Sequence, residues 1–195
     1  MSVVKGGLAL AACFLVSGCM STYTGSGFKE PGGNFSGAYI PIPLQDQYSG
    51  TLHRVAVGGI AFTSGVDEDI GAVAYSGIMP GSDAGLPLSG DMTYTADWGL
   101  TRLGAVSKTG NTIYGVQEAD GGSIVLSADI SSGKVTGRDG PFVVDGRFAG
   151  NDLTGKVSYQ GDDGTLQGLV GRDGIVGAFH GHDDDSTYAG GFVGE

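Results

Sequence analysis

From residue 86 onward, apolar and polar side chains alternate with a period of two, and turn-forming pairs interrupt the pattern every 7 to 13 residues. In 88–98, Leu88, Met92, Tyr94, Ala96 and Trp98 share one parity, and Asp91, Thr93, Thr95 and Asp97 share the other. A pleated strand sends successive side chains to opposite faces, so this spacing predicts a half-buried strand. Ile124, Leu126, Ala128 and Ile130 repeat the pattern in 123–130. In 142–148, Phe142, Val144 and Phe148 oppose Asp145 and Arg147; in 152–159, Leu153, Val157 and Tyr159 oppose Asp152, Thr154, Lys156 and Ser158. Shorter runs follow at 165–170, 175–182 and 188–193. The turn signals are Ser132-Gly133, Asp139-Gly140, Gly150-Asn151, Asp163-Gly164, Asp173-Gly174 and the acidic run 183–185. Asp-Gly pairs readily adopt the left-handed backbone of tight hairpins. Such spacing leaves no room for helices. Antiparallel neighbours joined by tight turns form a meander, and closing the meander removes its exposed edges. The expected fold is all-β: a small up-and-down antiparallel β-barrel of about eight strands over 86–195, its interior filled by side chains.

Glycine accounts for 39 of 195 residues, far above the usual ~7%. Only six prolines and no three-residue period exclude collagen. The recurring Val, Ile, Leu, Phe and Tyr of the second half instead assign the glycines to turns and close backbone contacts of a folded sheet. Transmembrane barrels alternate too. Spanning strands need roughly 9–11 residues, whereas most of these runs have six to eight. Aromatic residues are also too few to ring both ends. The expectation is a water-soluble barrel with its apolar face inward.

At the N-terminus, Lys5 precedes an apolar run over 6–16 and the small pair Ser17-Gly18. A charged start, an apolar middle and a small-residue cut site describe a secretory signal; the run is too short to span a bilayer. The stretch Leu15-Val16-Ser17-Gly18-Cys19 resembles a bacterial lipobox. That resemblance implies lipidation of the Cys19 thiol, cleavage before Cys19, removal of a signal peptide 1–18 and acylation of the new N-terminus. Cys13 would leave with the signal, so no internal disulfide is expected. Met20 and Ser21 stand where an inner-membrane retention signal would place Asp, and the sorting rule so implied points to the outer membrane. Three acyl chains would hold the protein firmly, since one alone binds only marginally. The remaining 177 residues suffice for one domain with a small appendage. They carry nine basic and 21 acidic side chains, a net charge of −12. That balance argues against nucleic acid and anionic lipid surfaces and suits either a soluble, non-sticky surface or a basic partner. Residues 19–50 are rich in Gly, Ser, Thr and Pro and predict a flexible tether, extended around Ile40-Pro41-Ile42-Pro43. The alternative is that Tyr39, Ile40 and Ile42 dock on the domain. Residues 51–85 hold two weaker strands, near 54–62 and 70–78, which either join the main sheet or form a reduced handle subdomain.

The second half resembles the β-barrel of transferrin-binding protein B and its relatives among Gram-negative surface lipoproteins, such as factor H-binding protein. The resemblance rests on Gly90-Asp91-Met92-Thr93-Tyr94, on 123–130 leading to Val135-Thr136-Gly137, and on Phe148-Ala149-Gly150-Asn151-Asp152-Leu153-Thr154-Gly155. It closes on Gly174-Ile175-Val176-Gly177-Ala178-Phe179-His180-Gly181 and Ala189-Gly190-Gly191-Phe192. His180 stands where the family places a tyrosine. The resemblance covers about 100 residues and implies a lipid-anchored barrel on the cell surface, acting as a non-enzymatic binding module for a protein or an iron- or haem-related nutrient. The chain is far shorter than transferrin-binding protein B, with one barrel instead of two lobes and little room for the handle that carries transferrin contacts. Transferrin itself is therefore not implied.

His180, His182 and Asp183 form the one metal-like cluster, continuing into Asp184 and Asp185. Two imidazoles two residues apart on a strand can share a cation; a polar strand end entering an acidic turn accounts for the same residues. Haem bound through His180, His182 or Tyr188 is a weaker variant. No cofactor is expected. The Gly-Arg-Asp-Gly segments 137–140 and 171–174 lack the alternating Asp ligands of a calcium loop and read as hairpin turns. No Gly-x-Ser-x-Gly elbow or phosphate loop occurs, and His53 precedes the barrel, so catalysis is not expected. Recognition concentrates in loops on rigid scaffolds. The longest irregular connection, 99–122, with Arg102, Tyr114, Gln117 and Glu118, and the turn from His180 to Tyr188 are the expected contact surface of a monomer for a protein or haem/iron-carrier ligand. The alternatives are a passive envelope lipoprotein and a periplasmic inhibitor barrel.

Overall fold

A computed structural model of the protein describes residues 20–24, 51–57, 59–67, 73–78, 81–109, 112–183 and 186–195; for 20–24, 51–57, 63, 66–67, 73–75, 106–109 and 112–114 the description is of the backbone. Every regular element among the described residues is a strand. They are β1 (Met20–Thr24), β2 (Thr51–Val57), β3 (Ile60–Asp67), β4 (Val73–Ile78), β5 (Met92–Thr109), β6 (Thr112–Asp129), β7 (Lys134–Asp139), β8 (Phe142–Ala149), β9 (Asp152–Tyr159), β10 (Asp162–Gly171), β11 (Gly174–His182) and β12 (Thr187–Gly194). The expected signal sequence, Cys19 and most of the expected tether lie outside the described residues. Within the tether's span, β1 pairs antiparallel with the start of β6, from Met20↔Val116 to Thr24↔Thr112.

Strands β5 to β12 each pair with their sequence neighbour, and β12 returns to β5 from Thr187↔Leu103 to Gly194↔Ala96. The result is the expected closed antiparallel barrel of eight strands. The inward positions are apolar: Tyr94, Ala96, Trp98, Ile124, Leu126, Phe142, Val144, Val157, Phe179 and Phe192 form one core. Outward positions of β7–β9, among them Arg138, Asp145, Arg147, Asp152 and Lys156, are exposed. A lipid-facing barrel needs the reverse.

Three sequence expectations fail on backbone grounds. Residues 99–122 are not an irregular connection, because β5 and β6 run straight through them in register from Trp98↔Gly122 to Gly104↔Val116. Charged residues interrupt the alternation there, yet the backbone ladder continues with one bulge between Gly104 and Ser107. Asp163-Gly164 is no turn either: both residues lie inside β10. The turn falls at Gln160-Gly161, where both φ angles are positive, 55° and 101°, as a type I′ hairpin demands. Gly164 is instead a close-approach glycine, since a side chain there would meet the Tyr188 hydroxyl and the His180 carbonyl. The run 54–62 is split between β2 and β3.

Strands β2–β4 form a separate three-stranded antiparallel sheet in the order β2-β3-β4. It covers the outer face of β11 and β12. Ile60, Phe62 and Ile78 pack with Val176, Ala178 and Val193 in a second buried cluster. Gly191 makes that contact possible, because a Cβ there would collide with the Phe62 ring. These strands therefore form a sheet of their own, not paired into the barrel wall and packed on its outer face.

Candidate functional site

Chain direction sorts the barrel into two ends. At one end lie the short turns β7–β8, β9–β10 and β11–β12, and there alone two strands overrun the rim: β5 and β6 extend beyond the last pair between β12 and β5, at Leu103. Side chains that point inward along these two strands become, at this level, the lining of the barrel mouth.

Below the mouth the interior is closed by aromatic rings. Trp98 stacks on Phe142 with centroids 4.6 Å apart, Phe142 meets Phe179 at 5.0 Å, and Tyr188 lies against both Tyr159 and Phe179. Their polar tips point to the rim. Trp98 Nε1 donates to Asp139 Oδ2 (2.7 Å), Tyr159 Oη to Asp120 Oδ2 (2.8 Å) and Tyr188 Oη to the Asp162 carbonyl (2.9 Å). Burial, followed by the hydrogen bond to the Asp120 carboxylate, pushes the Tyr159 phenol up to about 12. Burial likewise raises the Tyr188 phenol.

Above this floor a depression of about 250 Å³ is lined by Leu100, Arg102, Glu118, Ala119, Asp120 and Tyr159. Its one cation, Arg102, lies 3.6 Å from Asp162 and 4.0 Å from Glu118. Both distances exceed a good charge-assisted hydrogen bond, and the buried Arg102 Nε has no hydrogen-bond partner among the described residues. Burial raises the Asp162 pKa, as does the Asp183 carboxyl beside it; the Ser186 hydroxyl and Arg102 oppose the rise. Asp183 also accepts from the Ser186 amide at 2.7 Å. The mouth therefore holds three carboxylates around one loosely held guanidinium.

A second depression, of about 270 Å³, lies on the outer wall just below the rim and is lined by Lys156, Asp163, Thr165, His180, His182 and two glycines. Thr165 Oγ1 and His180 Nε2 lie 3.0 Å apart there.

The expected contact residues are thus distributed unequally. Arg102 and Glu118 meet at the mouth. Gln117 is half-buried on β6, and the Tyr114 side chain is outside the description. His180 and His182 share the outer face, away from the mouth. Tyr188 is fully buried in the barrel, since its strand parity is that of Phe192. Among the described residues no group of three or more His, Cys, Asp or Glu side chains is placed to hold a metal, so His180, His182 and Asp183 are not assembled into one. Sequence reasoning missed Asp120, Asp162 and Tyr159, whose parity places them at the mouth once the register of β6, β9 and β10 is known.

No protein-family model and no curated protein sequence matches the chain. Among solved structures it is similar to the haemoglobin receptor HpuA from Kingella denitrificans. The apo receptor shares 15% identity over 71% of this chain and 55% of the receptor, with a TM-score of 0.41. The receptor in complex with human haemoglobin shares 13% identity over 77% and 59%, with a TM-score of 0.42. The chain therefore spans less than three fifths of the receptor's length.

Proposed function

We propose that the protein is a non-enzymatic binding module, anchored through lipid on Cys19 to the outer membrane at the cell surface, and that the overrunning end of its barrel receives a protein ligand. The observation that carries this reading is the mouth itself. Two strands extend past an otherwise tightly turned rim and present Glu118, Asp120 and Asp162 around Arg102 on a floor of packed aromatic rings. A rigid floor under a charged, open rim favours recognition over chemistry. The acidic excess selects a basic protein surface.

The test is titration of the purified, lipid-free chain with candidate iron carriers, human haemoglobin first, followed by the double variant Gln117→Ala/Glu118→Ala. Loss of about tenfold in affinity with an unchanged melting temperature is expected. Unchanged affinity for a bound carrier would remove the mouth from the contact surface. Protease treatment of intact cells checks the location: a surface protein is cut, a periplasmic one is not.

A further inference from the structure

β6 changes partners along its length. Residues 112–116 lie between β5 and β1, and residues 126–129 between β5 and β7. Between them, residues 117–125 pair with β5 only, and no described strand lies along their other edge. β7 leaves β6 after Gly137, where a Cβ would strike Leu126 and the Val125 carbonyl. Main-chain pairing thus laces the β6–β7 seam at one end; beyond it only side chains cross, with Asp139 of β7 lying against Gly122 and accepting from Trp98 Nε1. Most side chains on the stretch are exposed, Glu118 and Asp120 among them. Among the described residues four large apolar side chains stand exposed; of these, Val116 precedes the stretch and Val125 ends it, at 38% and 57%. An unpaired edge is a template for another strand, and charge on it limits which strands can add.

We propose, resting on the reading of the chain as a binding module, that residues 117–125 of β6 are a docking edge for an extended segment of the partner carrying lysine or arginine at alternate positions. The inward parity of the added strand would place its cations beside Glu118 and Asp120, at the depression where Arg102 leaves acidic charge in excess. Its other parity would lie beside Ala119 and Val125. Main-chain hydrogen bonds supply affinity and the alternating charges supply selection.

The probe is a nine-residue peptide alternating lysine with threonine, titrated by fluorescence anisotropy. Binding is expected to weaken as salt rises and to fall about tenfold with Glu118→Lys. The same peptide N-methylated at every second amide keeps its charge but cannot pair along an edge, and is expected to bind at least about tenfold more weakly to the unaltered protein. Hydrogen exchange of amides in 117–125 should slow on binding. Equal affinity of the two peptides, unchanged exchange in 117–125, or no binding of the parent peptide at millimolar concentration would overturn the proposal. Loss of carrier binding in the mouth variant alongside any of these results leaves the module reading standing and removes only the edge.

Discussion

Tyr94 shows what single side chains contribute inside this barrel. It is fully buried, and its hydroxyl donates to the Gly171 carbonyl at 2.8 Å. Burial raises its phenol to about 12 from an ordinary 10. A raised acid pKa means that the folded state holds its proton longer than the unfolded state. Its contribution is complete below pH 10 and is lost as pH rises through about 12. A two-unit shift is worth about 3 kcal/mol. Tyr159, also raised to about 12, adds in the same direction. Melting followed by circular dichroism should therefore show stability falling steeply between pH 10 and 12. Tyr94→Phe should cost about 1 kcal/mol at pH 7 and flatten that fall. A slope identical to the parent's would mean the buried phenol is not what titrates. Glycines set the opposite limit. A Cβ on Gly191 collides with the Phe62 ring, so Gly191→Ala should destabilise the fold by about 1–3 kcal/mol in urea melts.

Elements add constraints that no residue carries alone. β8 and β9 were legible almost to their ends because they alternate cleanly, and 152–159 coincides with β9; β10, β11 and β12 showed as short apolar runs between turn signals. The long hairpin was not legible, because its pattern fails where the strands leave the core. At Asp120, Glu118 and Arg102 the inward positions face a mouth instead of a packed interior, so they are polar although the ladder continues. β7 escaped for a different reason: of its six residues only Val135 is buried, which is too little apolar signal to mark a strand. The β9–β10 turn was misplaced because Asp163-Gly164 looks more like a hairpin than Gln160-Gly161. Local propensity lost to register there. The mismatch leaves Gln160 at φ 55°, where a glutamine is strained and asparagine is favoured. Gln160→Asn should stabilise the protein by about 0.5–1 kcal/mol, and a raised melting temperature is the expected reading. A fall would mean that the 3.1 Å hydrogen bond from Gln160 Nε2 to Tyr159 Oη outweighs the backbone strain.

At the scale of the whole molecule, the barrel is not symmetric around its circumference. β7, β8 and β9 alternate between a wet and a dry face, whereas every residue of β12 is buried and β11 is buried from Gly174 to Phe179. A strand buried on both faces reads as a continuous apolar run, not an alternation. Ile175-Val176-Gly177-Ala178-Phe179 carries that signal in the sequence; its consequence, a second layer outside the barrel, follows only when it is joined to the small-residue strands of 51–78. The outer layer shares a buried cluster with β11 and β12 across the expected division at residue 85, and this packing should couple its unfolding to that of the barrel. Phe62 is 1% exposed and anchors that layer against Val176 and Val193. Phe62→Ala should cost about 3–5 kcal/mol, a large part of the stability of a domain this size. A chain shortened to 81–195 should keep its strands by circular dichroism but melt far lower, bind a hydrophobic dye and aggregate through the uncovered face of β11 and β12. If the shortened chain melts at the same temperature as the full chain, the barrel is self-sufficient, and the β2–β4 sheet is an attachment to be explained by its ligand instead of by stability.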